Sequence, residues 1–205
     1  MDKFIFAIDP SINNVGWCYL FCHNRKLTLL DSGIFHNKLE SLLDKMNFIF
    51  TSLREKIQGL NIDAIVIEET LVNINPFTSL KLSKGQGAAI TAAFNHYIPV
   101  YVYSCKSPRK GLLNNGNADK KQCRRFVEDL LGKVANEHVA DAILLGYYHY
   151  HKINGLLDDN LPKIKKNKKS KKNKNIDGIP TESRDIKTKK KSKKPVNEKE
   201  NFTKK

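Results

Sequence analysis

Two short runs, Phe4-Ile5-Phe6-Ala7-Ile8 and Ala64-Ile65-Val66-Ile67, are apolar at every position, and each runs straight into a carboxylate: Asp9 after the first, Glu68 after the second. A strand turns successive side chains to opposite faces, so a run with no polar position buries both faces at once. Such strands belong at the middle of a sheet covered by helices on each side, which confines the chain to an α/β layered architecture. The remaining segments fit that frame. Lys3 to Ile8, Val15 to Phe21 and Leu27 to Phe35 read as an antiparallel meander with short turns between them. Leu39 to Ile57 carries its apolar residues at helical spacing, Asp63 to Ile67 is a fourth strand, and Val100 to Tyr103 is a fifth. Thr78 to Tyr97 is a helix with a face of Gly and Ala, and Ala118 to Leu131 and Asn136 to His151 are two closing helices. The expected fold is a five-stranded mixed sheet flanked by helices.

An acid at a strand end is ordinarily a turn former or a cap. Here the first and fourth strands are the two expected side by side at the sheet centre, and ligands gather outside the carboxyl ends of such strands. A third acid, Asp141, sits in the last helix with His138 three residues earlier on the same helical face. Three acids brought together repel unless a counter-charge joins them, and hard carboxylate oxygens suit magnesium or manganese. Glu69 follows Glu68 directly, so strand alternation turns it to the other face, in a structural or supporting role. His96, His149 and His151 read as ordinary surface or partly buried side chains.

Charge divides the chain into two parts. From Leu161 to Lys205 there are 18 Lys or Arg against 5 Asp or Glu, which accounts for +13 of the formal +15; the preceding 160 residues are nearly neutral. The expected organisation is a folded domain over residues 1–155 and a Lys-rich tail over 156–205, too poor in apolar residues to offset the entropy of ordering it and so expected to be disordered. A polycation of this density makes nucleic acid the first partner to consider. The four cysteines form no C-x-x-C pair and read as free thiols of a reducing compartment. No run approaches the ~18 apolar residues of a membrane span, so no membrane partner is expected and the cytoplasm is the expected location.

The segments "FAIDPSINNVGW", "AIVIEETLVNINPFTSLKLSKGQGAAI", "NNGNADKKQ" and "HVADAILLGYYHYH" resemble, in order and spacing, the successive motifs of the RuvC family of Holliday-junction resolvases, which have the RNase H-like fold. The resemblance covers about Phe4 to His151. It implies a dimeric, magnesium-dependent endonuclease that cuts a four-way DNA junction symmetrically, in recombination and repair, with a branch-migration motor complex as a further possible partner. Carried over residue by residue, Asp9, Glu68, His138 and Asp141 become the metal ligands, holding two magnesium ions about 4 Å apart, with manganese able to substitute. Lys120 matches a basic residue facing the scissile phosphate, and Arg109 falls near another DNA contact. Lys81 and Lys84 read either as solvated charges or as phosphate contacts. The small-residue face over Gly85 to Ala93 packs on the sheet or forms a dimer interface.

Three departures stand out. Leu71 occupies a place where some family members carry a stacking aromatic near the junction centre. Asn114 replaces the first glycine of a glycine-x-glycine loop, although Asn tolerates left-handed backbone angles. The tail lies outside the family core. Two other readings stay open: an RNase H-like nuclease for other branched nucleic acids, and a junction-binding module without catalysis.

A flexible polycation adds salt-dependent affinity but has no geometry with which to recognise a junction. Deleting residues 161–205 is expected to weaken binding to duplex and junction DNA alike and to flatten the salt dependence, with cut positions and metal requirement unchanged. A salt titration of both chains on the two DNAs, followed by mapping of the cuts, checks this.

Overall fold

The computed structural model describes residues 2–70, 75–132 and 136–157. In chain order these form β1 (Lys3–Pro10), β2 (Asn14–His23), β3 (Lys26–His36), α1 (Leu42–Ile57), β4 (Ala64–Glu69), α2 (Pro76–Phe94), β5 (Val100–Ser104), α3 (Lys106–Leu113), α4 (Lys120–Leu131) and α5 (Glu137–Ile153). The strands make one five-stranded sheet in the order β3-β2-β1-β4-β5. The β1–β2 and β2–β3 pairs are antiparallel, and β1–β4 and β4–β5 are parallel. The expected mixed sheet is therefore present, with the two doubly apolar strands adjacent at its centre. Leu71 and the tail from residue 158 onward lie outside the described residues.

Strand alternation divides the core into two layers. Ile5, Ala7, Cys18, Leu20 and Val66 face α3, α4 and α5, while Phe6, Ile8, Trp17, Ile65 and Ile67 face α1 and α2. α5 is buried along nearly its whole length, from Val139 to His151, because the sheet covers one side of it and α3 and α4 pack against it elsewhere. His149 and His151 are thus buried outright, beyond the surface or partly buried positions expected: His149 Nδ1 lies 3.0 Å from the Tyr103 hydroxyl and His151 Nδ1 lies 3.4 Å from the Leu156 carbonyl oxygen.

The helix ends follow local chemistry. Ser41 caps α1, which begins at Leu42, three residues inside the expected Leu39 start. Asn75 caps α2 with Pro76 in its first turn, where a missing N–H costs nothing. α3 was not expected, because Pro108 and Gly111 interrupt its helical pattern. Pro108 falls in the first turn of the helix, which tolerates proline. Gly111 is needed for packing, since a Cβ there would lie 2.6 Å from the Tyr148 ring. Asn114 ends α3 at φ +55°, keeping the left-handed turn that a glycine would make. Cys18, Cys22 and Cys123 are buried free thiols, and Cys105 is half-buried. Among the described residues no helix is long and apolar enough to cross a membrane.

Gly146 sets how closely α5 lies on the sheet: a Cβ there would stand 2.7 Å from Leu20 Cδ1 and 3.1 Å from Ala7 Cβ. Gly146→Val should therefore lower the unfolding free energy by about 1–3 kcal/mol, the usual cost of overpacking a filled core. Urea denaturation of the two proteins measures it.

Candidate active site

The parallel ladder between β1 and β4 runs from Ile5↔Ala64 to Ile8↔Ile67, so the next step in register sets Asp9 beside Glu68. Alternation carries Asp9 to the face of Ala7 and Glu68 to the face of Val66, and both of those lie in the α5 layer. Glu69 is exposed. Two carboxylates at neighbouring strand ends thus point to one side, under the beginning of α5.

The approach of that helix depends on a glycine. Across the β1–β2 ladder Asp9 pairs with Gly16, and a Cβ on Gly16 would sit 2.4 Å from the His138 carbonyl oxygen. Any side chain at position 16 would push the first turn of α5 off the sheet. The Asn136 side chain caps α5, accepting a hydrogen bond from the His138 amide at 3.0 Å. His138 Nδ1 lies 2.7 Å from Asp9 Oδ2. Asp141, one turn further on, is also buried. The structure therefore links His138 to Asp9 and places Asp141 and Glu68 within electrostatic reach of them.

The basic residues arrive from α3 and α4. An Arg109 guanidinium nitrogen lies 3.8 Å from Asp141 Oδ1, and another donates to the Ala118 carbonyl at 3.2 Å. Arg109 thus lies against the carboxylate cluster. Directly after Ala118, Asp119 and Gln122 form a reciprocal capping box, with the Gln122 amide donating to Asp119 at 2.8 Å and the Asp119 amide to Gln122 at 3.0 Å. The box fixes Lys120 at the first position of α4. A lysine there opposes the helix dipole, so its placement has no helix-stabilising reason. Its ammonium is 3.7 Å from Glu137, the residue before His138. Lys106, Lys110, Lys121 and Arg125 are exposed on the same two helices. Lys81 and Lys84 are exposed on α2, the helix of the opposite layer, and are not brought to the carboxylates.

Burial, with Asp9 and Asp141 nearby, pushes the Glu68 carboxyl up to about 8, although Arg109 and Lys120 pull the other way. Burial and Asp9 raise Asp141 to about 6. The hydrogen bond to Asp9 is the main cause of a raised His138 pKa. Carboxyls that resist ionising together are asking for positive charge. Among the described residues no three His, Cys, Asp or Glu side chains close around one point. Arg109 against Asp141, and His138 against Asp9 when the imidazole is protonated, supply the nearest counter-charges. The donor set, three carboxylates and one imidazole on rigid elements, fits a hard divalent cation.

The family model for the crossover junction endodeoxyribonuclease RuvC matches residues 5–149, a span that contains every one of these side chains. The chain belongs to the RuvC family. A relative from Nitrosomonas eutropha, named crossover junction endodeoxyribonuclease RuvC, is 33% identical over 155 residues, covering 75% of this chain and 87% of its own. The fold matches Thermus thermophilus RuvC, solved in complex with Holliday junction substrate, at a TM-score of 0.67 and 23% identity over 75% of this chain and 97% of that one. The yeast mitochondrial Holliday junction resolvase matches at a TM-score of 0.54 and 17% identity, covering 75% and 79%. Gly16, Glu137 and the Asp119–Gln122 box are the parts of this site that the sequence reading missed. The box was written in the sequence as D-x-x-Q before an apolar-periodic helix.

The perturbed carboxyls have a thermodynamic signature. Glu68 holds its proton in the folded state up to about 8, against 4.5 as its ordinary value. The folded state therefore binds more protons than the unfolded one between those values, and metal-free stability declines as pH rises through that window. Glu68→Gln should remove part of the decline, raising Tm by about 3 °C or more at pH 8.5 and leaving it nearly unchanged at pH 4.5. Thermal melts of both proteins in EDTA at the two pH values test this.

Proposed function

We propose that this chain is a structure-specific DNA endonuclease that resolves four-way junctions by metal-dependent phosphodiester hydrolysis, acting as a two-fold dimer. The observation that carries the reading is the convergence of Asp9 and Glu68 from adjacent parallel strands with His138 and Asp141 from α5, in a chain of the RuvC family.

Asp9, Glu68, Asp141 and Nε2 of His138 would hold two divalent ions, magnesium being the expected metal and manganese able to replace it. Bound there, the ions would supply Lewis acidity to activate water and to stabilise the leaving oxygen. The contact between His138 Nδ1 and Asp9 favours the tautomer with its proton on Nδ1, which leaves Nε2 free to ligate. Protonation of His138 removes that donor, so acid pH disfavours the active form. Arg109 steadies Asp141. Lys120, half-exposed at the mouth of the cluster, is placed to stabilise charge on the scissile phosphate. The exposed lysines of α3 and α4 track the DNA backbone and position it, with Lys81 and Lys84 as further phosphate contacts on α2. Leu71, outside the described residues, matches a place where some family members carry a stacking aromatic.

Cutting two strands symmetrically needs two sites, which a two-fold dimer provides. The Gly and Ala face of α2 is consumed inside the chain, where Gly85, Ala88, Ala89, Ala92 and Ala93 are buried in the α1–α2 layer. Phe77, Leu80 and Phe94, 78%, 56% and 61% exposed on the same helix, are apolar groups that a second copy would cover. The Lys-rich tail would act as an electrostatic tether, and a branch-migration motor complex is the expected cellular partner.

Asp9→Asn, Glu68→Gln and Asp141→Asn should each reduce cleavage of a synthetic mobile four-way junction about 10³-fold or more while leaving junction binding largely intact. His138→Asp should retain part of the activity, since carboxylate is an alternative hard donor. Binding that falls in step with cleavage, in a folded variant, would sink the assignment. Paired nicks at symmetry-related positions, seen with magnesium and absent without it, are the expected products.

A further inference from the structure

We infer that Gln86, reaching from the face of the sheet opposite the carboxylates, is a positioning residue for Glu68 and stands in for a backbone hydrogen bond that Pro10 cannot make. The inference rests on the reading of Glu68 as a metal ligand.

The argument begins with the direction of peptide groups in β1 and β4. The Ile65 amide donates to the Pro99 carbonyl at 2.9 Å, on the β5 side of β4. Peptide groups alternate along a strand, so Glu68, three residues later, turns its carbonyl the other way, toward β1. On β1 the Phe4 amide donates to Asp63 Oδ2 at 2.7 Å, on the β4 side, and the same alternation turns the nitrogen of Pro10 toward β4. In a parallel ladder a carbonyl accepts from the residue one beyond its register partner. Asp9 is the register neighbour of Glu68, and the residue beyond it is Pro10. Proline has no N–H, so the ladder stops where the carboxylates begin.

Gln86 fills this place with its side-chain amide. Its Nε2 donates to the Glu68 carbonyl at 3.2 Å, and its Oε1 accepts from the Thr70 amide at 3.4 Å. These two groups flank Glu69 and are the acceptor and donor that a continuing strand would have engaged. On its other edge this segment is held by β5, through Glu68↔Tyr103 and Glu69↔Ser104. Gln86 supplies the hold on the β1 edge. Its neighbour Gly85 packs close to the same strand end: a Cβ there would lie 3.0 Å from Ile12 Cδ1, in the loop just after Pro10. The backbone of Glu68 is thus fixed from the α2 layer while its carboxylate faces the α5 layer. Outer groups that orient a metal ligand typically change metal affinity by ten- to a hundredfold when removed.

Two substitutions test this. Gln86→Met keeps the length of the side chain and removes both hydrogen bonds. Gln86→Glu keeps an acceptor for Thr70 but cannot donate to the Glu68 carbonyl. Both should weaken Mn2+ binding about tenfold, measured by electron paramagnetic resonance of the free ion. Both should raise the magnesium needed for half-maximal junction cleavage by a similar factor, with cleavage recovered at saturating magnesium and with Tm and metal-free junction affinity nearly unchanged. Mn2+ affinity within twofold of the parent in either folded variant overturns the inference. So does a loss that appears only in Tm or in junction affinity. Glu68→Gln is measured alongside: if it binds Mn2+ and cuts like the parent, the metal-ligand reading itself fails. If it loses both while the Gln86 variants do not, only the positioning role fails.

Discussion

Everything at the active end of this molecule depends on the parallel pairing of β1 with β4 in the register that makes Ile8 the neighbour of Ile67. That register is held by apolar side chains on both faces of both strands. A slip of one residue would turn Phe6, Ile8, Ile65 and Ile67 out of their layer, so it is strongly disfavoured. The same register forces two like charges to the same end of the sheet and the same face. The hydrophobic core therefore imposes the electrostatic problem that positive charge must then solve, and the repulsion cannot relax by moving either strand. A cluster of like charges of this kind is unfavourable in isolation and is kept in place by packing several residues away.

Most of the fold was legible in the sequence because its central strands advertise themselves. Phe4 to Ile8 and Ala64 to Ile67 have no polar position, and the H-x-x-D spacing on α5 shows which face of that helix meets them. What was hidden belongs to tertiary approach. Gly16 matters only because His138, 122 positions away in the chain, lies against it. Gln86 reads as one more polar residue on a helix until the strand end beneath it is known. α3 was missed because Pro108 looks like a helix breaker unless its place in the first turn is known. His149 and His151 read as surface or partly buried because the sequence does not reveal that α5 is covered nearly all round.

The basic side of the site is built by a different method from the acidic side. The carboxylates sit on strands and a buried helix, whereas Arg109 and Lys120 are placed by polar contacts that run in sequence through the α3–α4 turn: Arg109 to the Ala118 carbonyl, Asp119 to Gln122, Lys120 to Glu137. These contacts are partly exposed and individually weak. The division suits a nuclease, in which ligands must hold a fixed geometry while the groups that meet a phosphate must yield to an arriving strand.

Beside Gly16 stands Trp17, the one tryptophan of the chain. Its ring stacks on Phe6 and on Phe35, each at 5.8 Å between centroids, with the Lys56 ammonium 4.3 Å from the ring and Gly33 beneath it. An indole is an intrinsic fluorophore whose emission follows the polarity and nearby charge of its surroundings. Because there is a single emitter, all of the chain's tryptophan light comes from one place: the β2 segment whose next-door glycine touches the first turn of α5 on the other side of the sheet. The molecule thus carries a built-in optical gauge of how tightly the sheet packs against α1, on the face away from the carboxylates, readable without any label.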